Sequence, residues 1–248
     1  MKAVVVGASS GLGRCIGTGL AQGGASVAML ARRQERLEAA AAEAGNGALA
    51  IRCDVTDAAS CKSAIDEAAK GLGGIDALIY ATGVGPLSRI ENLDKDTFHW
   101  AFDTNVIGAN TITAAALPHL KESAGTAAYL SSISTSQTAP WPGLAGYLVS
   151  KAALDKLVEC WRTEHPTVGF SRIVVGDCAG GEGDAMTEFA NAWDVELATE
   201  LGTGWFEKGL ITGQLLPVEE LVRVVDSIVR GGALTSVPTV IVQPRPTG

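Results

Sequence analysis

Aromatic side chains are scarce in this 248-residue chain, at 5% of positions, and there are only three histidines. His99, His119 and His165 stand far apart with no second ligand at metal-binding spacing, so no histidine-based metal centre is expected. The five cysteines (15, 53, 61, 160 and 178) are odd in number and form no C-x-x-C pair, which argues against a disulfide framework and a zinc site. They read as small buried hydrophobes of a reducing cytoplasm. No run approaches ~18 uncharged apolar residues, and the apolar start at Ala3–Val6 is too short for a leader or a membrane span. Excess positive charge is missing too. Nineteen Lys and Arg against 27 Asp and Glu leave a net charge of −8. Nucleic acid and anionic membranes reward clustered cations, so neither is expected as a partner. A local basic pocket for a phosphorylated cofactor is still compatible with that balance.

What the chain does have is aliphatic bulk, with 47% hydrophobic residues, and 30 glycines. This composition excludes a disordered chain. Short apolar runs alternate with longer helical patterns. Strands are expected at Val4–Val6, Ala25–Leu30, Ala48–Cys53, Ala77–Tyr80, Thr126–Leu130, Ser171–Val175 and Val237–Val242. Helices are expected from the glycine turn to Gln22, and at Gln34–Ala44, Ala58–Leu72, Thr97–Leu120, Gly146–His165 and Val218–Arg230. Apolar runs without strict alternation are strands buried on both faces. Strand followed by helix, repeated, implies right-handed crossovers and a parallel sheet. The expectation is α/β: one Rossmann-type doubly wound domain over 1–248, with helices on both faces. The Gly- and Glu-rich stretch at about 178–213, with Trp193, Trp205 and Phe206, breaks the rhythm and reads as a substrate loop or lid with some helix of its own.

Gly7, Gly11 and Gly13 follow the first strand and open the first helix. Glycines at such a turn let the backbone approach a pyrophosphate at the helix N-terminus. After the second strand, a NAD-binding chain carries an acid for the ribose hydroxyl. Here the text is Leu30-Ala31-Arg32-Arg33, and two guanidiniums suit a 2′-phosphate. Asp54-Val55 is placed to meet the adenine, although an Asp there could equally cap the next segment. Tyr147 and Lys151 stand at i and i+4 on one helix face, where an ammonium favours the phenolate of a group whose free pKa is about 10. A nearby serine can hold a carbonyl oxygen for proton transfer.

Taken together, GASSGLG at 7–13, Asp54-Val55, Asn105 within DTNVIG, Ser131-Ser132 and Tyr147-x-x-x-Lys151 resemble the short-chain dehydrogenase/reductase family over essentially the whole chain. The resemblance implies a tetrad. Tyr147 is the general acid/base, Lys151 lowers its pKa and bonds the nicotinamide ribose, Ser132 orients the substrate oxygen, and Asn105 holds a kinked helix and a relay water. It also implies cofactor contacts from Gly7, Ser9, Ser10, Gly11, Leu12, Gly13, Arg32, Arg33, Asp54, Val55, Ala81 and Gly83. The cofactor so implied is NADP(H) rather than NAD(H), the substrate a small carbonyl or alcohol, and the assembly a homodimer or homotetramer through the long helices, with Trp100, Leu117, Leu157 and Trp161 as anchors. The ending Val240–Thr247 looks like the branch with an Arg-Pro-Thr tail.

Four positions depart from the family pattern. Val6 replaces a Thr, Tyr80-Ala81-Thr82-Gly83 replaces Asn-Asn-Ala-Gly, and Cys178-Ala179 replaces Pro-Gly. The usual Ser-to-Tyr spacing selects Ser134, whereas the strand end selects Ser132, which is preferred. The acidic residues Asp177, Glu182 and Asp184 read as a solvated loop, and Cys178 as a packing residue. A non-catalytic dinucleotide sensor or scaffold on the same fold is the alternative function.

Overall fold

The computed structural model describes residues 1–178, 180, 181, 183–211 and 213–245; Ala179, Glu182, Pro246 and Thr247 lie outside the described residues. Seven strands, β1 (Lys2–Val6), β2 (Ser26–Ala31), β3 (Leu49–Arg52), β4 (Ala77–Tyr80), β5 (Thr126–Ser132), β6 (Gly169–Val175) and β7 (Thr239–Val242), form one sheet in the order β3-β2-β1-β4-β5-β6-β7. Every neighbouring pair is parallel. The doubly wound expectation is met.

Period-two alternation explains how one sheet carries two helix layers. Ala3 and Val5 of β1 face one core and Val4 and Val6 the other. The first core is closed by α1 (Gly11–Gln22), α2 (Gln34–Ala44) and α8 (Val218–Arg230), through Ile16, Leu20, Leu37, Leu221 and Val225. The second is closed by α3 (Ala58–Leu72), α5 (Gly108–Ser123) and α6 (Ala145–Glu164), through Ile65, Ile112, Leu154 and Val158. The strand order reverses between β2-β1 and β1-β4, so loops diverge there and leave a cleft at the carboxyl ends of the strands.

Two expected elements change shape. The single helix expected at 97–120 is three pieces: α4 (Lys95–Phe102), a π-helical turn at Asp103–Ile107, and α5. The insertion has a physical anchor. The buried Tyr80 hydroxyl donates to the Thr104 carbonyl, giving a role to the tyrosine that stands where an asparagine was expected. The stretch at 178–213 contains a 3₁₀ turn at 183–185 and α7 (Val195–Glu207). α7 is fastened by Leu201 and Trp205, which pack with Leu144 and Leu148 of the body. The Trp205 indole donates to the Pro142 carbonyl at 2.9 Å, whereas Phe206 is exposed.

Among the cysteines, Cys53 and Cys61 are buried and Cys15 and Cys178 half-buried, but Cys160 is exposed because its position on α6 faces solvent, against the expectation. Leu117, Leu157 and Trp161 pack against the second core, Trp161 stacking on Phe170 at 6.0 Å. Of the four expected anchors, only Trp100 is exposed. No helix among the described residues is long and apolar enough to cross a membrane, and no group of three metal-ligating side chains occurs among them.

Candidate active site

One cleft of about 740 Å³ lies over the carboxyl ends of the strands. Gly7, Ser9, Ser10, Gly11, Leu12, Arg32, Arg33, Asp54, Val55, Ala81, Gly83, Ser132, Tyr147 and Lys151 all line it. Gly13 and Asn105 stand behind its wall.

The glycine turn is built by steric necessity. Gly7 has φ +89°, and a Cβ there would lie 2.7 Å from Thr82 Oγ1. A Cβ on Gly13 would collide with the Gly7 carbonyl oxygen, so the first turn of α1 rests directly on the end of β1. That turn has no acidic residue, and Ser10 at the N-cap makes no side-chain capping bond. The positive end of the helix is thereby left for an anion from the cleft.

The two arginines separate in role. The Arg33 guanidinium donates to Ser9 Oγ at 3.0 Å and Ser10 Oγ at 2.9 Å, and pairs with Glu188. Arg36 pairs with the other oxygen of the same carboxylate. Arg32 lies nearer Asp54, whose carboxyl is held below its usual range by the Thr56 hydroxyl first, with Arg32 and Arg52 adding to it. Asp54 accepts from Thr56 N at 3.0 Å and Thr56 Oγ1 at 2.8 Å, forming a turn. The helix cap is instead Asp57, which accepts from Ala59 N.

At the far end of the cleft, Tyr147 and Lys151 project from α6 toward the end of β5. The Ser132 hydroxyl lies 2.7 Å from Ser134 Oγ, and both serines line the same cleft as Tyr147. Ser134 is the more buried of the two serines and is held by Ser132. Lys151 Nζ donates to the Leu130 carbonyl at 2.8 Å and is 6.0 Å from the Tyr147 ring centroid. Burial pushes the Tyr147 phenol up to about 12, with the nearby Ser132 hydroxyl acting the other way, and burial draws the Lys151 ammonium down to about 8. Desolvation acts on both groups in the direction of neutrality.

Asn105 is fully buried within the π turn. Its Nδ2 donates to the Val84 carbonyl and to Ser150 Oγ, both at 2.8 Å, and its Oδ1 accepts from Val84 N at 2.9 Å. It ties the loop after β4 to α6. Gly83 of that loop lies so close to Lys151 that a Cβ would be 3.2 Å from Nζ.

Several residues at the site escape a reading of the motifs. Arg36 extends the Arg32-Arg33 pair by one helical turn. Glu188 and Phe189 come from the segment after β6, and the Phe189 ring stands edge-on to Tyr147 at 4.9 Å and to Trp193 at 5.4 Å. Trp193 in turn donates to the Gly85 carbonyl at 2.7 Å. Asp155, one turn beyond Lys151, is buried, accepts from Thr135 at 3.1 Å and faces Arg172 at 3.5 Å. Only Arg36 and Asp155 had a local signal, the i+3 and i+4 spacing from known neighbours. Cys178 lines the cleft with its thiol pushed up by burial, which disfavours a reactive thiolate. Asp177 also lines the cleft, and Asp184 falls in the 3₁₀ turn.

Comparison with known proteins gives a consistent frame. The family model described as short chain dehydrogenase matches residues 1–193. The 11-beta-hydroxysteroid dehydrogenase 1A of Arabidopsis thaliana is 34% identical over 198 residues, which cover 74% of this chain and 56% of that protein. The 11-beta-hydroxysteroid dehydrogenase A of Sesamum indicum is 31% identical over 179 residues, 70% of this chain and 51% of that one. The chain thus spans about half the length of these curated relatives. The solved structure of an alcohol dehydrogenase from the archaeon Thermococcus sibiricus, complexed with 5-hydroxy-NADP, has a TM-score of 0.79 at 25% identity, covering 99% of this chain and 98% of that chain.

Proposed function

Because the chain belongs to the short-chain dehydrogenase family, we propose that it is an NADP(H)-dependent oxidoreductase that interconverts a carbonyl and a secondary alcohol. One observation carries the reading: phenol, serine and lysine converge at one end of a cleft whose other end holds the glycine turn and Arg33. The fit to the cofactor rests on the same walls. Gly7 and Gly13 let the turn pack tightly on Thr82 and on itself, so that the N-terminus of α1 opens on the cleft where a pyrophosphate would lie. The Arg33, Ser9 and Ser10 cradle already takes a carboxylate, so it suits the 2′-phosphate that distinguishes NADP(H). The archaeal relative with 5-hydroxy-NADP supports the same choice.

NADP(H) held in this cleft would supply the hydride chemistry. The chain supplies the rest. Ser132 holds the substrate oxygen beside the Tyr147 hydroxyl, and Tyr147 gives or takes the proton at that oxygen. Lys151 contributes positive charge beside the phenol, a contribution that grows as the ammonium is held charged. Asn105 fixes the loop carrying Gly83, and so the wall against which Lys151 lies. Trp141, Leu144, Phe189 and Trp193 line the substrate end, favouring a carbonyl on an apolar body.

The test is consumption of NADPH with a panel of apolar ketones, repeated with Tyr147→Phe. Turnover should fall by ~10²–10⁴-fold or more, the range for general acid–base participation, while NADPH affinity stays nearly unchanged. Near-normal turnover by that variant would refute the mechanism. Cofactor binding with no turnover on any ketone would favour the sensor instead.

A further inference from the structure

The cradle assigned to the 2′-phosphate holds an anion that belongs to the chain itself. Glu188 is 155 residues from Arg33, and its side chain is only 27% exposed. One carboxylate oxygen pairs with Arg33 and accepts from Ser10 Oγ at 3.4 Å; the other pairs with Arg36. The Nη2 of the same Arg33 bonds the Ser9 and Ser10 hydroxyls. Guanidinium and hydroxyl groups that would wrap a phosphate therefore wrap a carboxylate. The residue after Glu188 is Phe189, whose ring stands on Tyr147, so one strap spans both ends of the cleft.

We infer that Glu188 is a cofactor-selectivity residue, an internal competitor for the Arg33–Arg36 cradle that a ligand displaces only by bringing a phosphate to the adenosine ribose. This rests on the NADP(H) reading and deepens it. A phosphate monoester carries about −1.5 to −2 charge at neutral pH against −1 for the carboxylate, and offers three acceptor oxygens in place of two. It therefore outbids Glu188 for two guanidiniums. A ribose hydroxyl brings no charge and leaves the Glu188 pairs in place. Selectivity is then set by two opposing parts, arginines that attract the phosphate and a glutamate that occupies them until it arrives. Displacement also frees the strap that carries Phe189, which links the adenosine end of the cleft to access at Tyr147.

The experiment is calorimetric titration of the full chain with adenosine 2′,5′-bisphosphate and with adenosine 5′-monophosphate, before and after Glu188→Gln. Glutamine keeps the volume and removes the charge. The bisphosphate should bind the variant about two- to fivefold more tightly, the worth of a partly exposed ion pair no longer broken, and the monophosphate should bind both proteins alike. Unchanged or weaker bisphosphate binding by Glu188→Gln would overturn the inference, because the glutamate would then be neutral or a helper. A preference for the bisphosphate that is present but unmoved by the substitution refutes the competitor alone. The absence of any preference in the unaltered protein, with no effect of Arg33→Ala, refutes the NADP(H) reading and the competitor with it.

Discussion

Replacing Asn105 by alanine should cost far more than an average substitution. The side chain is fully buried and makes three hydrogen bonds, two of them to the backbone of Val84. Ser150 keeps another partner, since its hydroxyl also donates to the Tyr147 carbonyl at 2.8 Å. Val84 keeps none of what Asn105 supplied. Its amide and carbonyl each lose a partner, at roughly 1–3 kcal/mol apiece for a buried group. Val84 lines the cleft and is half-buried, so water recovers part of this, and the net loss should be about 2–4 kcal/mol. Urea unfolding followed by far-ultraviolet circular dichroism reads the change as a lower midpoint at unchanged slope. The same loop carries Gly83 against Lys151, so ketone turnover should fall with stability even where the variant remains folded. Asn105→Asp keeps the acceptor for Val84 N but turns an acceptor toward the Val84 carbonyl, and should rescue neither property. A loss below ~1 kcal/mol, typical of a surface site, with normal turnover would refute the reasoning.

Three further outcomes can be checked. NADPH should bind more tightly than NADH by about 1.5–3 kcal/mol, the range for hydrogen bonds to charged groups; Arg33→Ala should erase most of that gap and Arg32→Ala less, because only Arg33 joins the serine cradle. Equal dissociation constants for the two cofactors would contradict this. Lys151 titrates near 8 in the fold against its ordinary 10.5, so between these values the unfolded chain binds more protons and the lysine's contribution to stability rises with pH. The difference in unfolding free energy between the unaltered protein and Lys151→Met should therefore climb from pH 8 to 10.5, and a flat difference would refute the burial argument. Finally, pairing through the long helices, as the family resemblance implies, should give a homodimer or homotetramer by sedimentation, and monomer alone at micromolar concentration would exclude it.

Much of the frame was legible because its causes are local. α2, α3 and α8 run over the residues their periodicity indicates, and Gly45 and Gly73 stop α2 and α3 at positive φ. The glycine turn was legible for a steric reason, since side chains cannot stand at Gly7 or Gly13. The parallel direction of the strands followed from the helix between successive strands, which carries the chain back to the same end of the sheet. Tyr147, Lys151 and Ser132 were found through their motif, and the fold brings them to one wall. The π turn at 103–107 was not legible, because helical periodicity runs through it and its anchor, Tyr80, lies 24 residues from Thr104. Nor could the sequence place Glu188 on Arg33 and Arg36, or Phe189 on Tyr147. Those contacts join segments whose separation carries no period, and only the folding of the strap after β6 across the cleft brings them together. The protonation balance belongs to the same class. Spacing sets Lys151 one helical turn from Tyr147, but the sign of each shift depends on how far water is excluded, and that is a property of the packed structure alone.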